Sequence, residues 1–237
     1  MLFATVATAL AQSGTVVVSA GDWFKYGNIT VNWNSNDTSA TPPAGVQLNG
    51  ATLTFNVTTI SGTNVTGRLT TQYKNGTEIT SSGWVDVDTG DGANLPGLLI
   101  SANLNAGDAV YSAGSGVINE TIPRTYPSGV RDTNHLNISD VSTVNATQFS
   151  YSENLYWDKS TGVFVEESFN TLNQTGTYTT TLSEDFRITD SSLGWVVPEF
   201  PAWTSTLLIL VMSTPAIIAI HKRRLLRRPL RQTVSSL

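Results

Sequence analysis

The chain has 237 residues, of which 13% are charged and none is cysteine, and its formal net charge is −5. The absence of cysteine excludes disulfide bonds, zinc–thiolate sites and a thiol nucleophile. The acidic balance argues against a nucleic-acid partner, because phosphate binding needs clustered cations.

The charges are divided unequally along the chain. All 18 acidic residues precede Phe200, whereas only 7 of the 13 basic residues do, so the charge before Phe200 is 7 − 18 = −11 and the charge after it is +6. An acidic portion of this size suits cations, solubility or a charged cell surface. The split indicates that the two portions lie in different compartments.

The chain begins with an apolar stretch, LFATVATALAQ (residues 2–12), in which Ala9 and Ala11 have the small-x-small spacing of a signal-peptide cleavage site, so residues 1–11 are predicted to be a signal-peptide remnant. The positively charged start of a signal peptide is missing. Two interpretations stay open, a signal-peptide remnant and a buried first strand. The first predicts that the following portion is exported.

Residues 12–195 form the predicted extracellular domain, in which apolar and polar residues alternate. In ATLTFNVTT one phase is Ala51, Leu53, Phe55 and Val57, and the other is threonine and asparagine. The segments NITVNWN and NVTGRLTTQY repeat the pattern, which is typical of strands with one face on a core and one in water. No convincing helical period precedes the C-terminal apolar segment. We therefore predict an all-β, antiparallel meander that forms a sandwich or half-barrel.

One predicted hairpin contains an Asn-Gly pair. A two-residue turn would set Tyr73 opposite Glu78, whereas a three-residue loop over residues 74–76 sets Thr71 opposite Ile79 and keeps the apolar phase. The longer loop, with its glycine in the left-handed conformation, is therefore preferred.

A second hairpin is predicted in NLYWDKSTGVFVEE, where Gly162 supplies a positive φ. The flanking apolar residues are predicted to pair across it: Leu155, Trp157, Val163 and Val165.

The segment DVDTGDGAN brings three carboxylates, those of Asp86, Asp88 and Asp91, into a glycine-rich loop. Carboxylates in such a loop are what a calcium site needs, but Gly90 and Gly97 occupy the fifth and twelfth positions, where the EF-hand pattern requires ligands. A structural calcium ion and a solvated turn both fit the segment. No other cofactor is predicted.

Catalytic patterns are weak. His135 is the one histidine before the C-terminal segment, and although Asp132 is near it in sequence, no Gly-x-Ser-x-Gly motif supplies a nucleophile. Glu166 and Glu167 are adjacent, so on a strand they point to opposite faces and do not flank one glycosidic bond. No catalytic residue is predicted.

Sequons of the form Asn-x-Ser/Thr are frequent. Nine of the 18 asparagines are in sequons, against about 18 × 58/237, or roughly 4, from the 58 serines and threonines. They are Asn28, Asn36, Asn56, Asn64, Asn75, Asn119, Asn137, Asn145 and Asn173. A multiply N-glycosylated domain is predicted, and the alternative is that threonine-rich strands create sequons incidentally.

The segment from Phe200 to Ile220 has 21 residues without a charge. At about 1.5 Å of helical rise per residue, it spans roughly the 30 Å hydrocarbon core of a bilayer. Trp203 lies near one end and six basic residues follow the other, which a buried helix of a soluble domain would not need. We therefore predict a transmembrane helix over 202–220, a cytoplasmic tail over 221–237 and an extracellular location for the preceding domain.

The stretch VPEFP, within a predicted linker over 196–201, precedes this apolar segment. Together with the basic cluster, it resembles the C-terminal anchor or sorting segment of archaeal surface proteins of the PEF-CTERM type. The residues that carry the resemblance are Pro198, Glu199, Phe200, Pro201, Lys222, Arg223 and Arg224. The resemblance implies cleavage by a sorting enzyme. Since this chain continues through LLRRPLRQTVSSL, a plain membrane helix is the alternative.

AGDWFKYGNITV, ISANLNAGDAVYS and YWDKSTGVFVEES together resemble a class of archaeal exported proteins. The last of these is similar to a hairpin of the LolA-like half-barrel, whose members carry lipoproteins or lipids. That resemblance implies a concave face that holds a hydrophobic ligand, and the residues predicted to line it are Trp33, Leu53, Phe55, Leu69 and Trp157. A face filled by side chains is the alternative.

Together these features predict a membrane-anchored, N-glycosylated surface domain with a structural, adhesive or binding role. The alternative is a membrane-tethered carrier of lipid or another hydrophobic ligand, and a hydrolase comes third. The expected partners are the lipid bilayer and, beyond it, a sorting enzyme, surface-layer proteins or the hydrophobic ligand.

Overall fold

The structure is a computed structural model that describes residues 14–193 except Ser115 and Ser128. These residues belong to the first of two compact units, Met1–Trp195. The predicted signal-peptide remnant, linker, transmembrane helix and basic tail lie outside the described residues. Within the part of the chain that the structure describes, no helix has the length and apolarity needed to cross a membrane.

Regular structure in the described residues is almost entirely β-strand, which confirms the predicted all-β class. The strands are β1 (Trp23–Ser35), β2 (Thr52–Ser61), β3 (Asn64–Gln72), β4 (Glu78–Asp86), β5 (Gly92–Ala93), β6 (Glu120–Tyr126), β7 (Gly129–Val144), β8 (Thr147–Asp158), β9 (Phe164–Thr175) and β10 (Tyr178–Ser191). A short 3₁₀ helix, Ala44–Leu48, lies between β1 and β2.

The ten strands form one antiparallel sheet in the order β5-β4-β3-β2-β1-β10-β9-β8-β7-β6. Strands that follow one another in the chain are neighbours in the sheet, except that β5 and β6 lie at opposite edges. β1 and β10 pair at the centre, from Phe24 opposite Ser191 to Ser35 opposite Thr180. The predicted antiparallel meander is therefore confirmed, with its first and last strands side by side.

One face of the sheet is apolar because apolar and polar residues alternate along the strands. Phe24 and Tyr26 of β1 and Phe55 of β2 have no exposed surface, and the rings of Phe24 and Phe55 stack with their centroids 6.1 Å apart. Val65 of β3 and Val85 of β4 extend this core. The apolar phase predicted from the sequence is thus the phase that faces the core.

A long connection between β5 and β6, residues 94–119, packs on this apolar face and is called the cover segment. Its buried apolar side chains are Leu95, Leu99, Ile100, Ala102, Leu104, Val110 and Ile118. Ile100 N donates to Gly162 O at 2.9 Å, and Asn103 N donates to Lys159 O at 2.7 Å. These bonds join the cover segment to the β8–β9 turn, so it forms the second layer of the core.

The β3–β4 hairpin has the three-residue loop that the sequence predicts. Tyr73 N donates to Thr77 O at 2.8 Å, and Thr71 pairs with Ile79. Gly76 has a φ of 85°, so it adopts the left-handed conformation expected of it.

The β8–β9 hairpin corrects one predicted pairing. Gly162 does have a positive φ, 73°, but Trp157 pairs with Phe164 instead of with a valine. The register shifts next to this pair, and Leu155 pairs with Glu167. A β-bulge, which alternation alone does not reveal, causes the difference.

On the face of the sheet opposite to the cover segment, β6 bends towards β10. Arg187 of β10 donates through Nη2 to Thr125 O of β6, and its guanidinium carbon lies 4.4 Å from the ring centroid of Tyr126. Three strands separate β6 from β10, and at about 4.8 Å per strand a flat sheet would place them roughly 19 Å apart. The sheet is therefore strongly curved at this end.

Candidate ligand-binding cleft

A cleft of about 250 Å³ lies between the cover segment and the apolar face of β8–β10. Its lining residues are Pro96, Gly97, Leu98, Glu153, Leu155, Trp157, Phe164, Glu167 and Phe186. Most of them are apolar, and two glutamates supply the polar groups. Mostly apolar walls with a small number of polar groups are typical of small-molecule sites.

Trp157 holds one wall of the cleft in place. Its indole Nε1 donates to Gly97 O of the cover segment at 2.8 Å, and its ring meets Phe164 edge-on with centroids 5.9 Å apart. A buried indole N–H needs such a partner. The bond therefore joins the two sides of the cleft.

The bulge in the β8–β9 hairpin determines which glutamate enters the cleft. Trp157 pairs with Phe164, but Tyr156 pairs with Glu166 and Leu155 with Glu167. With uninterrupted pairing, Leu155 would lie opposite Glu166. The inserted residue therefore exchanges the faces of the two adjacent glutamates.

Glu166 lies on the opposite face, where it is bound by cationic and hydroxyl donors. Arg124 Nε donates to its Oε2 at 3.0 Å, and Tyr126 OH donates to the same oxygen at 3.2 Å. Arg187 Nε lies 3.5 Å from this oxygen. The expectation that Glu166 and Glu167 point to opposite faces is therefore confirmed.

Glu167 is half-buried and makes no hydrogen bond or ion pair with any described residue. Burial, followed by the negative charges of Glu153, Glu184 and Asp185, raises the pKa of its carboxyl to about 8. Burial also raises the pKa of Glu184, with a further contribution from Asp185. The cleft thus holds a carboxyl group without a protein partner among these residues.

Glu153, the second carboxylate, is held by its own strand. Tyr151 OH donates to Glu153 Oε2, and the Tyr151 ring packs edge-on against Phe169 with centroids 5.5 Å apart. The two glutamates therefore differ in chemistry, because one has a hydroxyl donor and the other has none in the described chain.

The predicted ligand-facing residues are mostly placed elsewhere. Of the five, the lining of the cleft includes Trp157. Phe55 is fully buried in the core, and Leu53 and Leu69 pack against it. Trp33 is half-buried near the end of β1. Most of the apolar face is thus filled by side chains, and the open part lies over β8–β10.

The predicted calcium ligands do not converge. Asp86 accepts hydrogen bonds from Thr63 Oγ1 at 2.8 Å and from the backbone N of Asp88 at 2.9 Å, while Asp91 accepts one from Thr89 Oγ1 at 3.1 Å. Partial burial would raise the pKa of Asp86, but its hydrogen bonds lower it. No group of three acidic or histidine side chains suited to a metal occurs within residues 14–193, apart from the two undescribed serines. The calcium site stays a prediction.

His135 does not contact Asp132 in the way that a catalytic triad requires. Its Nδ1 lies 3.1 Å from Glu120 Oε1 and its Nε2 lies 3.0 Å from Asn154 Oδ1. Its ring stacks on Tyr156 with centroids 4.5 Å apart. Both ring nitrogens thus serve strand-to-strand contacts across β6, β7 and β8.

None of the nine predicted glycosylation asparagines is buried. Six are exposed, namely Asn28, Asn36, Asn75, Asn119, Asn137 and Asn145, and three are partly exposed, namely Asn56, Asn64 and Asn173. A glycan is joined to the side-chain Nδ2, which donates to Thr177 O at 3.0 Å in Asn36 and to Asn154 Oδ1 at 2.9 Å in Asn137. In Asn75 the hydrogen bond uses Oδ1 instead, so Nδ2 stays available.

The sequence contains a signal for one of the two cleft glutamates. Glu153 shares its alternation phase with Leu155 and Trp157, so a carboxylate occupies an apolar phase. Such a residue faces the core side of the sheet and needs a reason to be there. Glu167 has no comparable signal, because its face depends on the bulge.

A comparison with protein-family models gave no match, and neither did a comparison with curated proteins.

Proposed function

We propose that this chain is a membrane-anchored surface protein whose β-domain lies outside the cell, carries N-linked glycans and has a structural or adhesive role. The observation that carries the proposal is that none of the nine sequon asparagines is buried. The fully buried asparagine of the described residues, Asn134, is outside any sequon and instead donates to Leu104 O at 3.0 Å.

The C-terminal sequence supports the anchor. An uncharged stretch of 21 residues followed by six basic residues suits a single bilayer crossing with a cytoplasmic tail. The domain before it is acidic, which suits a solvated cell surface. In this proposal the bilayer is one partner and surface-layer proteins are others, with a sorting enzyme acting if the anchor is cleaved.

Exposed apolar side chains on the long strands support an adhesive role. Seven of them lie on β7–β10, and all except Val130 lie towards the β7–β8 and β9–β10 turns: Val130, Ile138, Val141, Val144, Phe149, Leu172 and Tyr178. Val141 is 62% exposed and Tyr178 is 53% exposed. Apolar side chains that stay in water at one end of a sheet favour contact with another surface.

Isolation of the full chain from its native membranes tests the proposal. We expect carbonate washing to leave it in the membrane fraction, and we expect mass spectrometry of its peptides to find a glycan mass on several of the nine sequons. Release by carbonate would contradict the anchor, and peptides at their unmodified mass would contradict the glycans. Each part of the proposal thus has its own readout.

A carrier of a hydrophobic ligand, with the half-barrel shape that such carriers have, is the second candidate. The cleft favours it, but its volume of about 250 Å³ is below the roughly 300–1,000 Å³ of ordinary ligand pockets. Native mass spectrometry of the full chain distinguishes the two, because a carrier would retain a lipid mass and a structural domain would not.

A further inference from the structure

We propose that the cleft between the cover segment and β8–β10 binds a small amphiphilic amine, with its apolar body against the aromatic and leucine walls and its ammonium group against the carboxylate of Glu167. The inference rests on the cleft alone and does not depend on the membrane anchor or the glycans.

The apolar walls of the cleft favour a ligand with an apolar body. Leu98 of the cover segment and four residues of the sheet, Leu155, Trp157, Phe164 and Phe186, form these walls. Phe164 N donates to Leu98 O at 3.0 Å, which joins the two sides where they meet. Covering apolar surface in such a cleft is favourable, in rough proportion to the area that a ligand removes from water. At about 250 Å³, the cleft suits a chain or ring of a few carbons, not a lipid acyl chain.

The acidic groups around Glu167 favour a ligand whose head group is cationic. β8 contributes Glu153, β10 contributes Glu184 and Asp185, and the cover segment contributes the uncharged Pro96 and Leu98. Among the residues that the structure describes, no lysine, arginine or histidine lines the cleft. An anionic head would meet only negative charges there, whereas an ammonium group would supply the donor that Glu167 lacks.

The same charges make binding dependent on pH. Because burial and its acidic neighbours raise the pKa of Glu167, this carboxyl is largely protonated at pH 6 and gains its charge towards pH 8. An ammonium ligand binds the charged form, so its affinity should rise over this interval. A neutral alcohol of the same length should show no such rise.

Calorimetry on the full chain in nanodiscs of zwitterionic lipid, with empty nanodiscs as the blank, tests the proposal. The probes are n-hexylammonium, 1-hexanol and hexanoate, which share one apolar body and differ in the head. At pH 8 we expect hexylammonium to bind at least about tenfold more tightly than hexanol, because a charge-assisted hydrogen bond adds that much, and we expect hexanoate not to bind.

Two isosteric variants assign the effect to one residue. Glu167→Gln should lower the affinity for hexylammonium at least about tenfold and leave the affinity for hexanol unchanged. Glu78→Gln removes an exposed charge from β4, a strand outside the lining of the cleft, and should change neither affinity. Equal binding of the amine and the alcohol, unchanged amine binding in Glu167→Gln, or no binding of any probe would overturn the proposal.

Discussion

Phe55 lies so close to Gly67 that Gly67 has no room for a side chain, because a methyl group there would lie 2.2 Å from Cε2 of the ring and 2.6 Å from Asn56 O. The Phe55 ring of β2 is fully buried, lies against Gly67 of β3 and stacks on Phe24. Gly67 therefore forms part of the core packing, although it has no side chain.

Gly67→Ala should destabilise the domain by roughly 1–3 kcal/mol, because overpacking a filled core forces rings and backbone to move. Urea unfolding of the full chain, followed by tryptophan fluorescence, measures the change. Gly45→Ala is the matched control, since a methyl group there has no atom of the described residues within 4 Å. Equal midpoints for the two variants would contradict the packing argument.

Gly162 should be more sensitive than another glycine with the same backbone conformation. Gly162 and Gly76 both have positive φ, 73° and 85°, but only at Gly162 would a methyl group meet backbone, 2.1 Å from Ile100 O. We expect Gly76→Ala to cost about 1 kcal/mol from left-handed strain alone. Gly162→Ala should cost roughly 1–3 kcal/mol more, because the cover segment must move away from the β8–β9 turn.

Hydrogen exchange would locate the effect of Gly162→Ala. The amide of Ile100, which donates to Gly162 O, should lose protection, whereas the core amides of β2 and β3 should keep theirs. If Gly76→Ala proved as damaging as Gly162→Ala, the contact with Ile100 would not be the cause.

Glu167 should make the domain less stable as pH rises. Its folded pKa of about 8 is above its ordinary value of 4.5, so the folded state binds the proton more tightly than the unfolded state does. The contribution of Glu167 to the stability of the domain is therefore greatest below pH 4.5 and falls between pH 4.5 and pH 8. Burial would raise the pKa of Asp158, but hydrogen bonds from Arg131 and Ser160 outweigh it and lower that pKa. The contribution of Asp158 to stability is therefore lost as the pH falls into the acid range, which is the opposite direction to Glu167.

The stabilising effect of Glu167→Gln should therefore be roughly 1–2 kcal/mol larger at pH 8 than at pH 5. This is less than the full pKa shift would give, because the cleft opens to solvent and solvent screens the charge. Urea midpoints at the two pH values measure the difference. Glu78→Gln serves for comparison, since it removes an exposed charge, and it should show the same midpoint shift at both pH values. A Glu167→Gln gain that did not depend on pH would contradict the assignment.

Glycan occupancy should differ among the exposed sequons. Asn75 lies in a turn, where its Oδ1 accepts a hydrogen bond from Thr77 N at 2.9 Å. This bond does not use Nδ2, so Nδ2 is available for a sugar. Asn137 donates through Nδ2 to Asn154 Oδ1 at 2.9 Å, and its backbone pairs with β8. We expect higher occupancy at Asn75 than at Asn137, and site-specific glycopeptide mass spectrometry measures both. Glycans on Asn137 but not on Asn75 would contradict this argument.

The sequence by itself determined the class of the fold and one hairpin register. In ATLTFNVTT, alternation places Phe55 in the core phase, and in the β3–β4 hairpin the requirement to keep that phase selects the loop that pairs Thr71 with Ile79. Both are local consequences of a period of two residues, which the order of residues states directly.

The tertiary structure alone decided what covers the sheet and where the cleft lies. No periodic pattern in the sequence predicts the cover segment. Its position depends on tertiary contacts such as the hydrogen bond between Ile100 N and Gly162 O. Glu167 faces the cleft because a bulge next to Trp157 shifts the register, which depends on strand pairing and not on the order of residues in β9. The raised pKa of Glu167 has the same origin, since it arises from burial and from acidic neighbours on other strands.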